Sequence, residues 1–460
     1  MYLRRTPGLH NIKSDIIRDI SYIDQDYTVY PAPNFFTEEI HVKKLADRLY
    51  HPNSVRNRPH RALCIHLPSN NSPSLYCNTP QLKHNESAHI DRYTDYLLKE
   101  IGLIKKAFQN TVALEQIYLE GGTTTLPSQS QLRRLIDAIG QNFSLRKNLL
   151  FRTTIALPLA DHHSINKLYE LGANDLTLCL KDNNLPRQST GPRKLANTPN
   201  ENKTQEVVAT ARKAGFDIIR IKLLYGQEKQ NEGHWGDTLD IVVAAQPDLI
   251  NLQCGPSASV AEKADNARLT TAFSLIEEQF DSRLYSIRHL INAGYIHIGM
   301  NLFARQDNYL VTAQRQGRLH YDLLGYSILP DYDVIAVGIS AIGKSGSALY
   351  QNHSELLHYY NQLDQNKLPI MRGLELSPDD LLRRSVMYAL ICHSVISFES
   401  AETYFPIDFK QYFAHELSVL TAYEKAGLVT INEEEIAVTP TGKLFVGNIC
   451  QVFDQYLRNN

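Results

Sequence analysis

The sequence predicts an α/β protein built on a complete or partial β/α barrel. Between residues 60 and 310, short apolar runs alternate with longer stretches of helical character. This alternation indicates parallel strands joined by crossover helices, and so many successive units favour a barrel over an open three-layer sheet. In a parallel barrel the chemistry takes place at the carboxyl ends of the strands. The predicted strands are residues 62–67, 116–120, 149–155, 175–180, 218–224, 249–253 and 295–300.

The segments between these strands predict the crossover helices. Apolar residues recur at helical spacing in residues 89–108, 128–143, 204–214 and 261–292. The polar run 181–203 is instead typical of a long loop that follows a strand.

The C-terminal part has a different pattern, which is typical of a winged helix. Two helices, a β-hairpin and a last helix are predicted at residues 379–394, 409–426, 427–441 and 442–457. The acidic turn at residues 433–435 disfavours contact with DNA. We therefore interpret this part as a substrate lid or packing module, with Arg383 and Arg384 on a solvated face. The predicted divisions are an arm at 1–55, a barrel at 56–310 and a C-terminal domain at 311–460.

Composition excludes several classes of function. The formal net charge of −2 gives no support to bulk binding of nucleic acid or of an anionic membrane. No apolar stretch approaches the ~20 residues that span a bilayer, and the first residues lack the apolar core of a secretory signal. Six scattered cysteines fit a reducing compartment, which predicts a cytoplasmic protein.

Short motifs follow the first two predicted strands and recur near the C-terminus. The loop after the first strand lies within CIHLPSNNSPSLYC at residues 64–77, and YLEGGTTT at residues 118–125 ends the second strand. The other motifs are Tyr27-Thr28-Val29-Tyr30-Pro31, GMNLFAR at 299–305, GISAI at 338–342 and NIC at 448–450. In order and content, from about residue 20 to 457, they resemble the oxygen-independent coproporphyrinogen III oxidases, a branch of the radical S-adenosylmethionine (SAM) enzymes.

The resemblance implies a fold and a chemistry. It implies a radical-SAM-type partial β/α barrel with an N-terminal arm and a mainly helical, winged-helix-like C-terminal domain, in a monomer. Enzymes of this family hold a [4Fe–4S] cluster on a CxxxCxxC loop, and a glycine-rich GGGTP segment contributes to the SAM pocket. A 5′-deoxyadenosyl radical then drives removal of two propionate carboxyls from coproporphyrinogen III, which gives protoporphyrinogen IX.

At the cluster loop, however, this chain departs from the family pattern. Asn70, Ser74 and Cys77 stand where the resemblance places the three cluster cysteines. A [4Fe–4S] cluster needs thiolates there, and amide or hydroxyl oxygens are hard, weak ligands for such iron. Cys64 stands at the position of a SAM-contacting tyrosine. Even if it served as a ligand together with Cys77, the cluster would have two thiolates instead of three. The sequence therefore predicts that neither the cluster nor another cofactor is bound, with Cys77 the one surviving ligand position.

The SAM pocket is altered in the same direction. Gly121, Gly122 and Ile342 retain family positions, although the two glycines also suit an ordinary strand-to-helix turn. The degenerate positions are Glu120 for a glycine, Thr154 for a glutamate, Lys181 for a glutamine and Lys222 for an aspartate. If both lysines face the pocket, each repels the cationic SAM by about 2–3 kcal/mol at ~6 Å and an effective dielectric of ~20. A register shift of one residue would turn them outward.

Three functions remain open at this point. The leading hypothesis is a degenerate homologue of the porphyrin branch, without catalytic residues, that binds a tetrapyrrole or another anionic ligand. The alternatives are an active coproporphyrinogen III oxidase and a non-catalytic regulatory partner of an active paralogue.

Overall fold

The computed structural model describes residues 27–38, 60–67, 87–108, 112–121, 128–180, 201–226, 232–254 and 266–457. Its first half alternates strands and helices, as the apolar pattern predicts. The strands are β1 (Arg61–Leu67), β2 (Ala113–Gly121), β3 (Ser144–Ala156), β4 (Asp175–Leu180), β5 (Ile218–Tyr225) and β6 (Leu249–Cys254). The helices are α1 (Ser87–Ala107), α2 (Gln129–Asn142), α3 (His162–Glu170), α4 (Glu201–Ala214), α5 (Glu232–Ala245) and α6 (Asn266–Asn292).

The second half first extends the sheet and then forms a separate helical region. The sheet elements are β7 (Ile296–Gly299), β8 (Leu302–Ala304), α7 (Tyr309–Arg315), β9 (His320–Asp322), β10 (Gly325–Ser327), β11 (Asp333–Val337), β12 (Ile342–Ser345), β13 (Ala348–Asn352), α8 (Leu356–Asp364) and β14 (Ile370–Glu375). The helical region contains α9 (Pro378–His393), β15 (Val395–Ser397), α10 (Phe398–Tyr404), α11 (Phe409–Tyr412), α12 (Ala414–Lys425), β16 (Val429–Ile431), β17 (Glu435–Val438) and α13 (Val446–Gln451).

Twelve strands form one open, mostly parallel sheet, which confirms the predicted fold class. Their order is β14-β13-β12-β11-β1-β2-β3-β4-β5-β6-β8-β7. Neighbours from β11 through β1 to β6 are parallel, while β7, β8 and β12–β14 pair antiparallel. The predicted strand at 295–300 forms β7, which runs in the same direction as β6 but does not pair with it. The chain reverses at Met300, where φ is +47°, and the antiparallel β8 lies between the two strands. The sheet continues past residue 310, where the predicted division between barrel and C-terminal domain stays a prediction.

Side chains alternate along each strand between the apolar core under the helices and the barrel lumen. Leu176, Leu178 and Leu180 of β4 pack in the main apolar core beneath the helices. Asp175, Thr177 and Cys179 therefore face the opposite side, which is the lumen. The segment that precedes α7 lies at the amino end of β6, since the Arg305 N–H donates to the Asp248 carbonyl just before that strand.

The C-terminal region has the predicted hairpin, β16–β17, in a three-stranded sheet with β15. The predicted helix at 409–426 is interrupted at Phe413, which is fully buried between α11 and α12. The solvated face predicted for Arg383 is wrong. Arg383 is 7% exposed and bonds to the buried Glu416 carboxylate at 2.6 Å and to Asp379 at 2.8 Å. Along the described helices, no segment is long and apolar enough to cross a membrane.

Candidate functional site

The lumen-facing side of the barrel can be assigned from three contacting residues. Arg152 on β3 and Arg220 on β5 both bond to Oδ2 of Asp175 on β4, at 2.8 and 3.3 Å. Residues at even spacing from these share their face of the strand. Thr154, two residues beyond Arg152, and Lys222, two residues beyond Arg220, therefore also face the lumen, closer to the carboxyl ends.

Lys222 lies in the carboxyl-end half of the lumen beside polar neighbours. In the sheet register it is paired with Cys179 on β4 and Asn251 on β6. Its side chain and that of Thr154 are both partly exposed. An ammonium group is thus placed at the end of the barrel where parallel-barrel sites form.

The ends of β1 and β2 approach each other closely. A Cβ on Gly121, where φ is +84°, would lie 2.0 Å from the Leu67 carbonyl oxygen, so only glycine fits. His66 and Glu120 are paired in the register just before this point. His66 Nδ1 lies 2.7 Å from the Ile339 carbonyl oxygen and donates to it. Burial lowers the pKa of His66, so its ring is neutral at pH 7 and Nε2 is left as an acceptor.

A buried carboxylate on α1 supports the turn beside His66. Glu100 accepts hydrogen bonds from Gly338 N–H at 2.8 Å, Asn352 Nδ2 at 2.7 Å and the Tyr359 hydroxyl at 2.5 Å. Tyr93, two turns earlier on α1, accepts from Ile339 N–H at 2.9 Å and donates to the His66 carbonyl at 2.8 Å. Helix α1 therefore holds the 338–341 turn against the end of β1.

Comparison with known proteins decides the family. A family model described as the HemN C-terminal domain matches residues 376–445. The oxygen-independent coproporphyrinogen III oxidase of Salmonella typhimurium is 31% identical over 449 residues, covering 96% of this chain and 95% of that protein. The chain belongs to the oxygen-independent coproporphyrinogen III oxidase family.

Further members agree over the same length. The oxygen-independent coproporphyrinogen III oxidase of Pseudomonas aeruginosa is 31% identical over 454 residues, which is 96% of each chain. The solved structure of Escherichia coli coproporphyrinogen III oxidase (HemN), a radical SAM enzyme, matches with a TM-score of 0.80 at 28% identity. It covers 96% of this chain and 98% of that chain. The predicted family membership is therefore confirmed.

Several predicted site residues of this family member can be placed in the fold. Glu120, Thr154 and Lys222 lie toward the carboxyl ends of β2, β3 and β5, with Gly121 at the last position of β2. Cys64 is instead buried in a cluster with Tyr118 and Tyr332. Ile342 begins β12 and packs with Val29 and Phe36 of the N-terminal arm. Asn70, Ser74, Cys77, Gly122 and Lys181 lie outside the described residues.

The sequence reading missed the residues that organise the interior. Strand alternation could have placed three of them on the lumen face. Once Lys222 is taken to face the lumen, every second residue toward the amino ends of the strands faces it too, which includes Arg152, Asp175 and Arg220. Glu100 and Tyr93 have no such signal, because both sit in an ordinary amphipathic helix. Within the described part of the chain, no group of three or more His, Cys, Asp or Glu side chains is arranged to hold a metal ion.

Proposed function

We propose that this family member binds an anionic tetrapyrrole at the carboxyl ends of its barrel strands and carries out no radical SAM turnover. The observation that carries the proposal is Lys222, an ammonium group in the lumen beside Cys179 and Asn251. SAM carries a sulfonium and an ammonium group, whereas coproporphyrinogen and haem carry carboxylates. A lumen cation therefore favours the tetrapyrrole and disfavours SAM.

The ligand chemistry of the cluster loop supports the same proposal. Asn70, Ser74 and Cys77 offer one thiolate where a [4Fe–4S] cluster needs three, so these residues do not fit that cofactor. Glu120 and Thr154 change two further SAM-pocket positions of the family. The changed positions thus lie on one loop and on two separate strands.

A spectroscopic titration tests the proposal. Coproporphyrin III, and separately haem, would be added to the full-length protein while the Soret band is followed. We expect a saturable shift, and we expect Lys222→Gln to weaken the binding by about 1.5–5-fold, the value of one partly exposed ion pair. Lys213→Gln, an exposed lysine on α4, is the matched control. No saturable change up to high micromolar ligand would refute tetrapyrrole binding.

An active coproporphyrinogen III oxidase is the second candidate, and family membership over 96% of the chain favours it. Anaerobic reconstitution with iron and sulfide separates the two functions. An active enzyme would hold about 4 Fe per chain and cleave SAM. The proposal predicts neither iron binding nor SAM cleavage. If iron does bind, Cys77→Ala would distinguish a loop-bound cluster, which it should remove, from adventitious iron, which it should not.

The proposal includes a monomeric protein in the cytoplasm. The five cysteines in the described ranges form no disulfide, which fits a reducing compartment. Size-exclusion chromatography with light scattering would test the monomer, and a mass corresponding to two chains would contradict it.

A further inference from the structure

The lumen becomes accessible toward the carboxyl ends of the strands. Cys64 on β1 and Tyr118 on β2 face the lumen further in, and they are only 9% and 3% exposed. The next residues on the same face of these strands, His66 and Glu120, are both partly exposed. Lys222 on β5 is partly exposed in the same way. A ligand that enters from this end therefore reaches His66 before it reaches the buried interior.

Three contacts fix His66 in place. Its Nδ1 donates to the Ile339 carbonyl at 2.7 Å, and its own carbonyl accepts from the Tyr93 hydroxyl at 2.8 Å. The Cδ2 edge of the ring lies beside Gly121, where a Cβ would come within 3.2 Å of it. The orientation of the ring is thus set by the protein itself and does not depend on a ligand.

The same contacts leave Nε2 as the atom that a ligand can use. Because Nδ1 carries the ring proton, Nε2 has a lone pair, and no donor among the described residues bonds to it. Burial lowers the pKa of His66, so the ring stays neutral at pH 7. Histidines that bind metals have this arrangement, with one ring nitrogen bonded to a carbonyl or carboxylate and the other directed at the metal.

The neighbouring carboxylate favours a cation at this position. Glu120 is paired with His66 in the sheet register, so both side chains lie on the lumen face. Its charge acts on the His66 ring and opposes the lowering of the pKa by burial. A metal cation at Nε2 would be stabilised by the same charge, whereas a carboxylate group there would be repelled.

His66 and Lys222 are therefore suited to different parts of a tetrapyrrole. A neutral imidazole whose Nε2 carries no proton cannot donate to a propionate from that atom, but its lone pair can bind iron. The ammonium group of Lys222 suits a propionate instead. The two side chains lie on β1 and β5, which are four strands apart in the sheet order, so they approach the lumen from different sides.

We propose that His66 Nε2 binds the iron of an iron tetrapyrrole such as haem, while Lys222 pairs with a carboxylate at its periphery. The inference rests on the tetrapyrrole binding proposed above. It adds that the site selects a macrocycle containing iron over the metal-free form. The bond forms by donation of the Nε2 lone pair to iron, so no proton is released.

Absorption titrations of the full-length protein with haem and with protoporphyrin IX test the inference, because these two ligands have the same periphery and differ by the iron. His66→Asn is the matched variant, since its amide can still donate to the Ile339 carbonyl but places no atom at the position of Nε2. We expect haem binding to weaken about 10-fold or more, because even the loss of a group that supports a metal ligand costs about 10–100-fold. Binding of protoporphyrin IX should stay within about 2-fold of the wild type.

His66→Ala gives a second measurement. It removes the ring and leaves space that free imidazole can occupy. We expect this variant to lose the absorption bands of histidine-ligated ferric haem, and added imidazole to restore them. His163→Ala, which changes an exposed histidine of α3, should bind haem as the wild type does. If His66→Ala does not fold, His66→Asn still decides.

The outcomes separate this inference from the proposed function. If both macrocycles bind and His66→Asn changes neither affinity, iron ligation by His66 is overturned while tetrapyrrole binding stands. Equal losses of haem and protoporphyrin IX would also overturn it, because the ring would then only support the site. If neither macrocycle binds to the wild type, the inference and the proposed function both fail.

Discussion

Glu100→Gln is expected to change how the stability of this protein depends on pH. The Glu100 carboxyl is 1% exposed and accepts three hydrogen bonds, from Gly338, Asn352 and Tyr359. Glutamine has nearly the same shape but offers one acceptor oxygen instead of two. One buried donor therefore loses its partner, which costs about 1–3 kcal/mol.

The titration of the wild-type carboxyl sets the second part of the effect. Burial, opposed by the three hydrogen bonds, raises the pKa of Glu100 from 4.5 to about 7. The folded state therefore holds a proton that the unfolded state releases within this interval. The resulting stabilisation is complete below pH 4.5 and is lost as the pH rises through 7. At 1.36 kcal/mol for each pH unit, the loss is about 3 kcal/mol.

The assay is urea denaturation at pH 5, 6, 7 and 8, followed by the fluorescence of the single tryptophan. Trp235 is buried and its Nε1 donates to Ser286, so unfolding exposes it to water. We expect the wild type to lose its advantage over Glu100→Gln from pH 5 to about pH 7, with little further change at pH 8. Glu206→Gln, an exposed carboxyl on α4, should run parallel to the wild type. If the stability of Glu100→Gln also depended on pH in the same way as that of the wild type, the reasoning would be refuted.

Two further substitutions test the packing around the site and in the C-terminal region, both by the same urea assay. Gly338→Ala should cost about 2–3 kcal/mol, because φ is +103° and the new Cβ would lie 2.5 Å from the His66 carbonyl oxygen; an unchanged midpoint would contradict the strain. Arg383→Met should cost about 3–5 kcal/mol, because the buried carboxylate of Glu416 loses its ion pair. Arg384→Met, its neighbour on α9, should stay within about 0.5 kcal/mol, and equal losses would refute the distinction.

Much of the fold follows from local patterns. Residues 175–180 were predicted as a strand and form β4 with the same bounds, since an unbroken apolar run between turns suits a buried parallel strand. The position of β8 between β6 and β7 was missed, because an apolar run carries no information about which neighbour it pairs with. The break at Phe413 was also missed, since helical periodicity continues across it while the buried ring dictates the bend.

The candidate site was predicted only in part. Side chains alternate between the two faces of a strand. Once a strand is assigned in the right register, the sequence therefore also predicts that Thr154 and Lys222 face the lumen. The charge network at the other end was missed, because strand alternation can place its members on the lumen face but does not show that they pair across three strands. Arg383 shows the same limit, since its main partner Glu416 lies 33 residues away on another helix.

By itself, the sequence determined the alternation of strands and helices and the family to which the chain belongs. These depend on neighbouring residues and on motifs that are read along the chain. Only the tertiary structure decided that Arg152 and Arg220 share Asp175, and that Glu100 holds the 338–341 turn. The partners are separated by 23 to 259 residues, and their charges and hydrogen bonds meet only when the strands and α1 have packed together.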